Sequence, residues 1–183
     1  MHKKSIIMIA MVALMIVTVV PVFAAKTISP AATNGLQKGK TDHLYLYEKD
    51  SETWDIVEDG AWGKLNINTN KGTFVFNGHA LEPETAYVLI CYQDPWPGTD
   101  SLVLGSATSN EEGNVHIKGS IDYDILPSYT YDTDGDEVAD VEGSKIWLVL
   151  ASDFDDEEPT EMSGWTPSEY LFEFDLINQS EIE

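Results

Sequence analysis

Short apolar runs with a period of two constrain the fold of this chain more than any other feature. Leu65 and Ile67 point one way while Lys64 and Asn66 point the other, as is typical of a strand with one buried and one solvated face. Nine runs rich in β-branched and aromatic residues are separated by turn residues, at approximately 43–48, 53–57, 62–68, 72–78, 85–92, 101–108, 113–120, 145–151 and 169–176. They predict an all-β fold, a single antiparallel β-sandwich or jelly roll of about nine strands.

Two of these runs, 87–92 and 146–151, are apolar on both faces. We expect them to be central strands that are covered on both sides. Cys91 lies inside the first run, so we interpret it as a buried structural thiol. A single cysteine also excludes an internal disulfide framework.

The start of the chain has the composition of an export signal. Lys3 and Lys4 precede an apolar run over 6–20, and Ala24 ends a small-residue cleavage pattern. We interpret 1–24 as a signal peptide, 25–42 as a flexible leader, 43–177 as the β-sandwich domain and 178–183 as a tail. The predicted location is secreted or extracellular at the cell surface, with membrane attachment only if the signal segment is not cleaved.

The charge of the chain excludes one class of function. The 183 residues include 32 Asp+Glu and 10 Lys+Arg, for a formal net charge of −22, and all the basic residues are lysines. An acidic chain without a guanidinium group is unsuited to bind phosphate backbones. We therefore expect no nucleic-acid partner.

The segment 132–142 predicts a calcium site. Asp132, Asp134, Asp136 and Asp140 occupy positions 1, 3, 5 and 9 of a calcium loop, Val138 can offer its carbonyl, and Glu142 lies one residue before position 12. The segment resembles the aspartate-rich loops of thrombospondin type 3 and dockerin modules. It departs from that pattern at position 6, which is Glu137 rather than glycine. The alternative is a solvated acidic loop, and we read the second acidic cluster, 153–158, as a solvated turn.

A proline-rich loop presents the candidate ligand-binding residue Trp96 between Pro95 and Pro97. A stiff loop can hold an indole as a platform for a sugar ring, and Trp62 and Trp165 also lie at or near run ends. The other interpretation, which the sequence favours, is that these aromatic side chains pack against the core or at a corner. The three histidines after the signal segment, at 43, 79 and 116, match no metal-binding spacing.

Two resemblances add to this interpretation. Residues 81–89 (LEPETAYVL) resemble the tyrosine corner of fibronectin type III domains, which implies that the Tyr87 hydroxyl bonds to upstream backbone and that Leu81 fills the core. Residues 43–177 resemble small secreted surface proteins of archaea with no assigned function. Stretches such as FNGHALEP (76–83) and YQDPWPG (92–98) carry that resemblance, which implies an extracellular role.

Three functional hypotheses remain open from the sequence. The first is a non-enzymatic cell-surface or extracellular-matrix protein, stabilised by Ca²⁺, that self-associates or binds surface-layer components. The second is a carbohydrate-binding or adhesion module that uses the aromatic residues around Trp96. The third is a secreted hydrolase with an acid pair, for which we find no catalytic motif, so we expect no enzymatic activity.

Overall fold

One large antiparallel sheet dominates the computed structural model, which describes residues 42–68, 70–122, 125–126, 129–131 and 141–174. Its eight strands are β1 (Asp42–Tyr47), β2 (Trp62–Asn68), β3 (Thr73–His79), β4 (Ala86–Tyr92), β5 (Leu102–Thr108), β6 (Val115–Ser120), β9 (Lys145–Leu150) and β12 (Leu171–Glu173). Two small hairpins pair β7 (Tyr129–Tyr131) with β8 (Val141–Gly143) and β10 (Phe154–Asp155) with β11 (Glu161–Met162). No α-helix occurs in the described part of the chain. The predicted all-β antiparallel class is confirmed.

The sheet has the order β5-β4-β9-β12-β1-β2-β3-β6 and curls until its two end strands approach each other. Gly105 on β5 allows this approach, since a Cβ there would lie 2.8 Å from Ile117 Cγ2 on β6. The result is a nearly closed sheet with an inner and an outer face, in the manner of a sandwich or barrel.

The inner face forms the first core. It is formed by alternate residues of β1, β2, β3 and β6 and by one face of the central strands β4 and β9. Among its most buried members are Leu46, Leu65, Phe76, Tyr87, Leu89, Ile146 and Leu148. Leu81 is buried there too, and the Tyr87 hydroxyl accepts a hydrogen bond from the backbone N–H of Glu82 at 3.2 Å. Tyr87 is thus tied to the backbone that precedes its strand, and Leu81 packs in the same core.

The outer face carries a second core over β4, β9 and β12. Its members are Val88, Ile90, Tyr92, Trp147, Val149, Phe154, Met162, Tyr170 and Phe172. The segment 151–170 covers them with 3-10 turns at Ala151–Asp153 and Pro167–Glu169 and the β10–β11 hairpin. The prediction that 87–92 and 146–151 are central and covered on both sides is confirmed, because β4 and β9 pair with each other between the two cores.

The run 53–57 is not a strand. It forms a turn in which only Ile56 pairs, as a single bridge with Lys49. Asp50 explains the difference: its Oδ1 accepts hydrogen bonds from the backbone N–H groups of Glu52 and Thr53, both at 2.9 Å. A hydrogen bond from a side chain to nearby backbone N–H groups competes with strand pairing. The strand propensity of 53–57 does not report such a bond, so the sequence predicts a strand there.

Candidate functional site

Three exposed tryptophans meet on the outer face, although each comes from a different loop. Trp54 is 48% exposed, Trp96 52% and Trp165 43%. The ring centroids of Trp96 and Trp165 lie 5.3 Å apart at an interplanar angle of 80°, and those of Trp165 and Trp54 lie 6.3 Å apart. We call Trp54, Trp96 and Trp165 the tryptophan surface.

An aromatic row lies in the sheet and partly supports this surface. Trp147, Phe172, Tyr47, Trp62 and His79 stand directly opposite one another on five adjacent strands, β9, β12, β1, β2 and β3. Phe172 contacts Trp54, with centroids 5.2 Å apart, and Trp147 contacts Trp165 at 6.1 Å. Tyr92 on β4 stacks on Trp147 at 3.8 Å. Trp54 and Trp165 thus rest on buried rings, and Trp96 contacts Trp165.

Trp54 is held in an unusual backbone conformation. Its φ is +62°, in the left-handed region that a bulky side chain rarely adopts. The Asp50 carbonyl accepts the Trp54 N–H at 2.8 Å, and Asp50 N–H donates to the Asp55 carbonyl at 2.9 Å. The backbone N–H groups of Thr53 and Glu52 also lower the pKa of Asp50, so its carboxylate stays charged while it holds the turn. Strained residues of this kind concentrate at functional sites.

Trp96 stands between two prolines whose rings fix φ on either side of it. Its loop is fastened to the segment that leads to Trp165: Asp100 N–H donates to the Thr160 carbonyl at 2.8 Å, and Met162 N–H donates to the Pro97 carbonyl at 2.9 Å. The exposure of Trp96 agrees with the interpretation of a platform in a proline-stiffened loop. Packing of Trp96 into the core, which the sequence favours, is wrong.

Trp165 is positioned by Asp153 and Tyr170. The Asp153 carbonyl accepts the N–H groups of Ser163 and Gly164, at 2.8 and 3.1 Å. The Tyr170 hydroxyl donates to Asp153 Oδ2 at 2.5 Å and accepts the Thr166 N–H at 3.0 Å. Burial alone would raise the pKa of Asp153, but the Tyr170 and Thr166 donors outweigh it and the pKa is lowered.

The reading of 153–158 as a solvated turn is therefore wrong for its first member. Asp153 is only partly exposed and organises the Trp165 loop, whereas 155–158 are exposed. The sequence indicates only that Trp165 lies near the end of an apolar run, and it predicts that Trp54 lies in a strand. A tryptophan in a polar loop is the one signal that all three share.

The predicted calcium ligands fall largely outside the described residues. This applies to Asp132, Asp134, Asp136, Val138 and Asp140, while Glu142 is described only as part of strand β8. Tyr131 pairs with Val141, so the two ends of the segment are adjacent. Within the described ranges, no group of three or more His, Cys, Asp or Glu is arranged to hold a metal ion.

The histidines make other contacts. His79 Nδ1 lies 2.8 Å from Asn114 Oδ1, and its ring lies 4.6 Å from that of Trp62. His116 Nδ1 lies 2.8 Å from Asn77 Oδ1, and the His43 ring lies 6.0 Å from that of Tyr45. These contacts engage the ring nitrogens of His79 and His116 in hydrogen bonds to amides.

Two titratable groups are removed from water without belonging to the tryptophan surface. Burial raises the pKa of the Cys91 thiol to about 12, as expected for a structural cysteine. Burial also raises the pKa of Glu173 to about 7, against the opposing attraction of Lys49 and Lys145. Neither group has the lowered pKa of an activated nucleophile.

No known protein family, curated protein or solved structure matches this chain. No helix of the described residues is both long enough and apolar enough to cross a membrane. The interpretation of the site therefore rests on its geometry.

Proposed function

We propose that this protein is an exported, non-enzymatic glycan-binding module that acts at the cell surface and binds its ligand on the tryptophan surface. The convergence of three half-exposed indoles from three separately braced loops carries the proposal. An indole offers a flat apolar face to the C–H groups of a sugar ring, and its N–H can bond to a hydroxyl.

The free-energy cost of this arrangement supports a binding role. A buried tryptophan removes about 150–250 Å² from water, so leaving half of it exposed forgoes about 2 kcal/mol for each indole. The three residues also form a contiguous apolar patch through their ring contacts, and the largest such patch on a monomeric protein is often functional. The left-handed backbone of Trp54 adds a further cost.

The proposal is tested with a glycan array probed by the wild-type chain and by Trp96→Ala. We expect the substitution to weaken binding at least about tenfold, as for truncation of an aromatic residue that dominates an interface. Because half of Trp96 is exposed, the variant should keep its fold, which thermal unfolding would verify.

Val103→Ala is the matched control, since Val103 is an exposed apolar residue (39%) on β5. It should bind like the wild type. Equal losses in both variants would indicate nonspecific apolar adsorption. Absence of binding to any glycan, together with a concentration-dependent dimer that Trp96→Ala abolishes, would instead identify the surface as a self-association interface.

A further inference from the structure

Nearly all the charged residues in the loops that form the tryptophan surface are acidic. The segments 48–56, 93–101 and 151–170 contain four, two and seven acidic residues respectively, and their single basic residue is Lys49. Lys145 on β9 forms an ion pair with Asp94 at 2.5 Å. Any ligand that reaches the indoles therefore approaches through a negative field.

This chemistry determines which hydrogen bonds the surface can make. An ionised carboxylate only accepts hydrogen bonds, so a ligand that bonds to these carboxylates has to supply the donors. Sugar hydroxyls donate to carboxylates in charge-assisted bonds. Uronate, sulfate and phosphate groups donate nothing when ionised and are repelled, which removes polyanionic glycans from the set of ligands.

The shape of the surface indicates which part of a glycan it contacts. Trp96, Trp165 and Trp54 are each about half exposed, and ring contacts run from Trp96 through Trp165 to Trp54. An open line of rings suits successive units inside a chain, whereas a pocket suits a chain end.

We infer that the tryptophan surface binds uncharged polysaccharide chains through their internal units and discriminates against anionic chains of the same backbone. This inference rests on the proposed function and specifies its ligand class. The acidic rim acts as the filter, and the indoles supply the contact.

Native affinity electrophoresis of the full chain tests the inference. The gels contain hydroxyethyl cellulose, galactomannan or xylan as neutral probes, carboxymethyl cellulose as the anionic probe and glycol chitosan as the cationic one. We expect at least one neutral polymer to retard the protein, with less than a twofold change between 0.05 and 0.5 M NaCl, values chosen to span strong and weak screening. Carboxymethyl cellulose should not retard it at low salt.

Two variants sharpen the test. Trp165→Ala should abolish retardation by the neutral polymer, whereas Val103→Ala should not. Glu52→Lys with Asp100→Asn removes two exposed rim carboxylates and should allow carboxymethyl cellulose, which does not retard the wild type, to retard the protein. Oligosaccharides of increasing length from the bound polymer should compete increasingly well.

Each negative result of this experiment contradicts a different part of the inference. Equal retardation by the neutral and carboxymethylated celluloses would overturn the charge filter while leaving glycan binding intact. Binding of glycol chitosan alone, lost in salt, would replace an uncharged ligand with a cationic one. Competition by a single sugar as strong as by a long oligosaccharide would overturn binding of internal units. No retardation by any polymer and no array signal would refute the proposed function itself.

Discussion

The clamp between Tyr170 and Asp153 gives the most quantitative prediction about the site. Tyr170 is fully buried, and its hydroxyl is the only atom that Tyr170→Phe removes. The substitution leaves no cavity around the ring, so its effect isolates two hydrogen bonds: the one donated to Asp153 and the one accepted from the backbone N–H of Thr166.

The magnitude follows from the surroundings of the two partners. The Thr166 N–H is partly buried and loses its acceptor, which costs about 1–3 kcal/mol when water cannot replace it. Asp153 is partly exposed and regains water, so its lost bond adds about 1 kcal/mol. We therefore expect Tyr170→Phe to lower the free energy of unfolding by about 2–4 kcal/mol, which is about 5–15 °C in Tm for a chain of this size.

Two assays check this prediction. Thermal unfolding measures the global loss, with Tyr45→Phe as the control, since Tyr45 lies partly exposed on β1 and its ring contacts those of His43 and Tyr47 and the Lys64 ammonium group. We expect the control to change stability by less than about 0.5 kcal/mol. Hydrogen exchange then locates the effect: amide protection should fall first at 163–166, and glycan binding should weaken because Trp165 is no longer held. If Tyr170→Phe is as stable as Tyr45→Phe and protection at 163–166 is unchanged, the reasoning is refuted.

Three further predictions concern the cores and the acidic loop. The Cys91 thiol should resist a thiol reagent at pH 8 in the folded protein and react fully in denaturant, because burial raises its pKa to about 12; rapid reaction of the native protein would contradict this. Glu173 has a folded-state pKa of about 7, above its ordinary value of 4.5, so the folded state binds the extra proton and loses stability as pH rises from 4.5 through 7. Glu173→Gln should therefore raise stability at pH 8 relative to the wild type and reduce the pH dependence in that window, measured by urea unfolding; an unchanged difference between pH 5 and 8 would refute it. If 132–142 binds calcium, Tm should rise with Ca²⁺ more than with equimolar Mg²⁺, and Asp134→Ala should erase the difference; equal small shifts would indicate charge screening alone.

The strands could be predicted because each one carries its own signal. Eight of the nine expected runs became the eight strands of the large sheet, with 62–68 matching Trp62–Asn68 at both ends. Apolar residues recur at every second position in a strand that buries one face, and the burial of β2 alternates in this way at every residue. The same reasoning placed β4 and β9 at the centre, since apolar residues on both faces of a strand require cover on both sides.

The site could be predicted only in part, because its geometry depends on contacts distant in sequence. Trp96 was identified from the two prolines beside it, a local signal. Its contact with Trp165 joins residues separated by about half of the domain, and no period or spacing in the sequence reports such a contact. The sequence wrongly places Trp54 in a strand, because the composition of 53–57 is typical of a strand and does not reveal the side-chain hydrogen bonds of Asp50. Asp153 could not be distinguished by sequence from the other acidic residues of its loop.

The position of β1 has a consequence for how the chain folds. This strand comes first in the domain, yet it lies between β2 and β12, the last strand described. Tyr47 pairs with Phe172, so the middle of the sheet closes only after nearly all of the chain has left the ribosome. Contacts so distant in sequence are slow to form. Phe172 also contacts Trp54, and the tryptophan surface is therefore among the last parts of the molecule to assemble. A chain shortened before residue 171 would lose the centre of its sheet rather than an edge.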